Sequence, residues 1–165
     1  MFEFLKMKGF SVKDSDVEQA QNELKVVFPE QLKLFWKEIG FGNLSIEPGD
    51  VASNWDKFFS PEEVLQLHRR EGEFAQYARY LSEGGIEERE AEGDLVFFQI
   101  NHATYLTISP KENGRIYYYD LPIAESLEEF FRKDLKKYHY FYDLYAEEKK
   151  DILNQIKRLK GMDLG

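Results

Sequence analysis

The chain has 165 residues, no cysteine and a formal net charge of -9, from 22 basic and 31 acidic side chains. That length fits one domain with a sizeable core, and the charge argues against nucleic acid and anionic membrane surfaces, whose affinity comes from Lys and Arg meeting phosphate. The missing cysteine excludes disulfides, thiol catalysis and cysteine-based zinc sites, and it suits a cytoplasmic protein.

Met1 to Phe10 carries Glu3, Lys6 and Lys8 and is too short and broken for a signal-peptide core. No apolar run approaches the ~20 residues of a membrane span. Ser15-Asp16-Val17-Glu18 reads as a capping box, with Ser15 as N-cap and Glu18 three residues on. Val17, Ala20, Gln21 and Leu24 follow at helical spacing, which predicts a helix ending near Val27. Pro29 suits the first position of a second helix, where its missing N–H costs nothing. Leu32, Phe35, Trp36 and Ile39 form that helix's apolar stripe, and Gly40 can stop it in a left-handed conformation.

Asn43 to Asp50 reads as a strand or loop ending at the Pro48-Gly49 turn. Phe58-Phe59 is a strand end that runs into Ser60-Pro61-Glu62-Glu63, a second capping box with proline at the first helical position. Val64, Leu65 and Leu67 continue that helix. Phe74, Tyr77, Ala78 and Leu81 make a further helical face, closed by Gly84-Gly85. Glu87 to Asp94 is strongly acidic, with Arg89 alone positive, and reads as an exposed loop.

Leu95 to Ile100, Ala103 to Ser109 and Arg115 to Asp120 read as three aromatic-rich strands. Asn101-His102 forms the first turn. Asn113-Gly114, which tolerates positive φ, forms the second. Connections this short demand antiparallel pairing. Both parities of the first strand are apolar, so the sheet is expected to be covered on more than one face. Ser126 with Glu129 makes a third capping box, opening a helix whose Leu127, Phe130, Phe131, Leu135 and Tyr138 face the core. Ile152, Ile156 and Leu159 predict an extra C-terminal helix over 146–160. Without an internal repeat or Gly/Ser linker, residues 1–165 form a single domain.

Little in this pattern carries chemistry. His68, His102 and His139 stand at no metal-ligand spacing, so no metal is expected. Ser60 and Ser126 are helix caps, and Ser53 and Ser109 lack a nucleophile elbow. Gly40-x-Gly42 and Gly84-Gly85 lack the lysine and strand-to-helix context of a phosphate loop. No catalytic residue and no cofactor are therefore assigned. Two features suit a partner protein. Glu87, Glu88, Glu90, Glu92 and Asp94 would make an electrostatic landing surface for a basic partner, although most charge runs are only solvated faces. Trp55, in the polar stretch Ser53-Asn54-Trp55-Asp56-Lys57, is either an interface residue or a lid on the core.

Three stretches taken in order resemble the SUKH superfamily: Phe28 to Leu44, the Ile108 to Asp120 hairpin, and Ser126 to Phe131. That superfamily includes bacterial immunity proteins and a yeast cell-wall-synthesis regulator. The resemblance spans roughly Ser11 to Tyr142. It implies an α+β fold, with a central, mostly antiparallel sheet and helices packed against it. It maps Pro29, Trp36, Gly40, Gly42 and Gly114 to fold rather than to a site. It also implies a non-enzymatic role: binding and neutralising a cognate bacterial toxin, frequently a nuclease. A regulatory or scaffold module that binds a host protein stays open as the alternative. The segment from Leu67 to Glu92 reads as an insertion relative to the family, either partner-specific or tolerated surface.

Overall fold

The computed structural model describes residues 1–5, 7–43, 56–77, 81, 86–100, 104–134 and 158. Trp55, His102, His139 and most of the expected helix over 146–160 lie outside the described residues.

Among the described residues six strands form one sheet in the order β1-β2-β3-β4-β5-β6. They are Gly42–Asn43 (β1), Lys57–Phe58 (β2), Leu95–Ile100 (β3), Thr104–Ser109 (β4), Arg115–Tyr118 (β5) and Leu121–Ala124 (β6). Every neighbouring pair is antiparallel. The three expected strands are thus present and paired as their short turns require. Nearly every β3 and β4 residue is buried, as apolar residues of both parities demand. The third strand stops at Tyr118, earlier than expected. Tyr119 takes a φ of 56° and turns the chain into β6, which its short sequence did not announce.

Helices cover the sheet. They are Asp14–Leu24 (α1), Glu30–Glu38 (α2), Pro61–Arg69 (α3), Ile86–Ala91 (α4) and the short Leu127–Glu129 (α5). Phe58 stacks on Phe35 of α2 at 3.9 Å between ring centroids, and Phe35 stacks on Phe131 at 5.2 Å. Phe59, the next residue along the strand, meets Phe74 instead, edge-on at 5.8 Å. Successive strand residues point to opposite faces, so this aromatic pair anchors an apolar layer on each side.

Several helix ends differ from expectation. The first helix begins at Asp14, with Lys13 as an N-cap that makes no side-chain bond. Ser15 is therefore inside the first turn, not the cap. Asp14 and Asp16 supply the negative charge that the helix dipole favours there. The same helix ends at Leu24, because Lys25 turns left-handed at φ 57° and Val26 N–H bonds the Gln21 carbonyl at 3.2 Å. Pro29 stands one position before the helix rather than first in it. Its carbonyl accepts from Leu32 and Lys33, which suits a residue that has only an acceptor to offer. Residues Gly72–Tyr77 form a 3-10 turn where a regular helical face was expected, with Phe74 buried.

The box at Ser60 is complete: Ser60 Oγ accepts from Glu63 N at 3.1 Å and Glu63 accepts from Ser60 N at 3.0 Å. At Ser126 only half forms. Ser126 Oγ accepts from Glu129 N, but the Glu129 carboxylate takes the amide of Glu125 at 2.6 Å. Beyond Glu129 the helix widens into a π-turn over Phe130–Asp134, which turns both Phe130 and Phe131 into the core.

Gly40 and Gly42 hold positive φ, at 107° and 117°. A side chain at Gly40 would collide with the Phe10 carbonyl, because residues 9–10 bond the chain at Ile39 and Phe41. Trp36 is 2% exposed, and its Nε1 donates to the Phe59 carbonyl at 2.8 Å. Trp36→Ala should therefore cost about 3–5 kcal/mol, as aromatic truncations in cores do. Urea denaturation checks this, and an unchanged midpoint would place Trp36 outside the load of the fold.

Candidate partner-binding surface

The acidic run from Glu87 to Asp94 is not a loop. Its first part is α4, and the rest is the cap that ends it. Gly93 N–H bonds the Glu90 carbonyl at 3.0 Å, and Asp94 N–H bonds the Arg89 carbonyl at 2.9 Å. With Gly93 at φ 103°, this is the glycine-closed ending common in helices. A helical turn separates the five carboxylates by direction, which a loop would not do.

Asp94 points inward and is 0% exposed. Arg89 grips it with Nε to Oδ2 at 2.9 Å and Nη2 to Oδ1 at 3.2 Å, and Thr107 Oγ1 donates to Oδ2 at 3.2 Å. Asp94 is thus corrected from a surface residue to a buried one. The same guanidinium lies 3.6 Å from the centroid of the Tyr117 ring and donates to Glu112 at 3.0 Å. Glu112 also accepts from Tyr117 Oη at 2.8 Å and from Arg115 at 2.9 Å. The Tyr117 hydroxyl bond, followed by Arg89, holds the Glu112 carboxyl below its ordinary pKa. Burial raises the Tyr117 pKa. Burial alone would lower that of Arg89, but the bond and charge of Asp94 together with Tyr117 and Glu112 outweigh it, and the net shift is upward.

Glu90 is also engaged. Arg70, left-handed at φ 55° just past α3, presents both Nη atoms to its carboxylate, at 2.6 and 3.0 Å. His68 Nδ1 stands 3.7 Å from the same group. Glu87, Glu88 and Glu92 remain exposed and carry no ion pair among the described residues. Of the five carboxylates expected to meet a partner, two hold α4 on the domain and three face outward.

A second acidic surface escaped the sequence reading. Asp16 and Glu23 of α1 face Glu62 of α3 and Glu71 across a groove of about 240 Å³. Asp16, Gln19 and Glu23 recur at helical spacing, so they share a face. That signal was present but was overshadowed by the weak apolar stripe on the same helix. Arg69 partly neutralises Glu23 at 3.6 Å. Among the described residues no His, Cys, Asp and Glu gather closely enough to hold a metal, and no helix is long and apolar enough to cross a membrane.

An antiparallel sheet meander covered by helices, with charge sorted between internal pairs and an open acidic face, defines an α+β domain. The chain belongs to the SMI1 / KNR4 family (SUKH-1), whose family model matches residues 11–133. It is also similar to a protein named Immunity protein YxxD from Bacillus subtilis (strain 168). The two are 28% identical over 141 residues, which cover 84% of this chain and 90% of the relative. No solved structure matches the chain significantly.

The geometry divides the run into two experimental classes. Asp94→Asn removes the buried carboxylate that Arg89 and Thr107 bond, leaves Glu112 as the counter-ion of Arg89, and should cost about 1–3 kcal/mol. Glu88→Gln should change stability by less than about 0.5 kcal/mol. Equal denaturation midpoints for the two variants would contradict this division.

Proposed function

We propose that this chain is an immunity protein, which binds a cognate bacterial toxin stoichiometrically in the cytoplasm and blocks it without chemistry of its own. Family membership together with the similarity to Immunity protein YxxD carries this reading. The partner is a basic protein, and a nuclease is the toxin class that best fits an acidic inhibitor. A groove shaped for phosphates carries positive charge, and a carboxylate-bearing surface can occupy it.

The net charge of -9 supports the electrostatic part of the reading. Glu87, Glu88 and Glu92 stand on the open side of α4, which Arg70 and Arg89 hold in place through Glu90 and Asp94. Charges at such a rim steer encounter more than they hold the complex. Trp55, the other expected contact, remains a proposal of the sequence alone.

Stopped-flow kinetics against the cognate toxin domain, sought among the genes beside this one, test the proposal. Replacing Glu87, Glu88 and Glu92 together by Gln should slow association about tenfold at low salt, with dissociation nearly unchanged. Added salt should shrink the difference, since the Debye length falls to about 8 Å at physiological ionic strength. Association that ignores both salt and the three substitutions would remove α4 from the encounter surface.

A further inference from the structure

The first helix is thinly anchored. Of its 11 residues Ala20 alone is buried, and Val17 and Leu24 are only partly covered. On the side facing α2 it leaves a groove of about 450 Å³. Val17 from α1 and Leu34 from α2 give this groove an apolar lining. Asp14 and Glu18, one turn apart, line it from α1, while Glu30, Lys33 and Lys37 line it from α2.

The α1 row is acidic and the α2 row carries a net positive charge, yet among the described residues no ion pair joins them across the groove. Lys33 turns back to Glu30 of its own helix at 2.9 Å. Asp14, Glu18 and Lys37 carry no ion pair among the described residues. Exposed charges gain little from pairing across water, so the fold has small reason to close the gap. An occupant that excludes water would strengthen every one of these interactions.

The joined end of the groove adds an apolar contact. Residues 25–29 connect α1 to α2, and there Val27 is 70% exposed. Its neighbour Phe28 is buried and donates its amide to Gln21 Oε1 at 2.9 Å. Gln21 itself lines the groove, so the Phe28 backbone next to Val27 is tied to a groove residue. Phe10, the other strongly exposed hydrophobic residue, is accounted for locally: it packs on Phe41 and covers Gly42.

We propose that the α1–α2 groove is the docking surface for an amphipathic helical segment of the basic toxin. Its apolar side chains lie on Val17, Leu34 and Val27. Its Lys or Arg residues face Asp14 and Glu18, and a carboxylate meets Lys37. The opposed charge rows fix which way round the segment lies, and apolar anchors with a polar rim are the recognition mode of helix-in-groove binding. This inference rests on the reading of the chain as an immunity protein. It separates docking in this groove from steering by α4.

The test compares wild type with Glu18→Lys, Val27→Asp and the triple Gln variant of α4, using the purified cognate toxin domain. Glu18 and Val27 are exposed, so thermal midpoints should be retained. Each groove variant should raise the dissociation rate about tenfold or more, as loss of a buried contact does, with a smaller effect on association. The α4 variant should show the reverse. If wild type binds and neither groove variant dissociates faster, docking occurs elsewhere and the immunity reading stands. If wild type does not bind the toxin domain at all, both readings are overturned.

Discussion

The stack of Phe35, Phe58 and Phe131 is the contact on which the rest of the domain depends. It joins α2, β2 and the C-terminal π-turn, three segments far apart in the chain, at centroid distances of 3.9 and 5.2 Å. Phe97, Phe98 and Phe130 extend it edge-on across β3. Aromatic pairs of this kind contribute about 0.5–1.5 kcal/mol beyond the area they bury. Their larger effect is geometric. With Phe35 of α2 held between β2 and the π-turn, Trp36 is brought to the Phe59 carbonyl. Gln31 of α2 likewise accepts the Glu128 amide at 2.8 Å, which locks the two covering helices together. A core closed by aromatic contact leaves the charged shell free to vary.

That shell is not uniform. Arg70 and Arg89 each convert one carboxylate of the acidic run into a strut, and these two struts hold α4 against α3 and the sheet. Glu87, Glu88 and Glu92 stay in water, and the steering proposed above is assigned to them. The α1–α2 groove differs again, because there charge flanks an apolar floor. On the proposed reading the domain separates three uses of charge: internal clamps, long-range steering and an oriented docking rim. A single net charge conceals all three.

Much of the fold was legible because it rests on local chemistry. The antiparallel strands followed from short turns, and Asn113 and Gly114 do hold the positive φ they were read for, at 63° and 91°. The buried stripe of α2 followed from its periodicity. What failed was local chemistry of unusual type. Lys25 and Arg70 end helices in left-handed conformations that are usually left to glycine, so neither terminus carried a recognisable stop. Gly93 was a true stop, but the acidic residues around it looked like a loop. The candidate surface was legible only as composition. That Glu90 and Asp94 turn inward depends on Arg70 and Thr107, residues distant in sequence, and no pattern within the run announces them.

One-to-one occupancy of a toxin is the action proposed for this domain. The most direct measurement titrates a fixed amount of the cognate toxin domain with the purified chain and reads residual toxin activity. Activity should fall linearly to zero at one equivalent, with both proteins recovered unmodified in a 1:1 complex by light scattering. Complete inhibition far below one equivalent, or a covalently altered toxin, would mean that the chain is a catalyst. Full toxin activity at every ratio would contradict the immunity role itself.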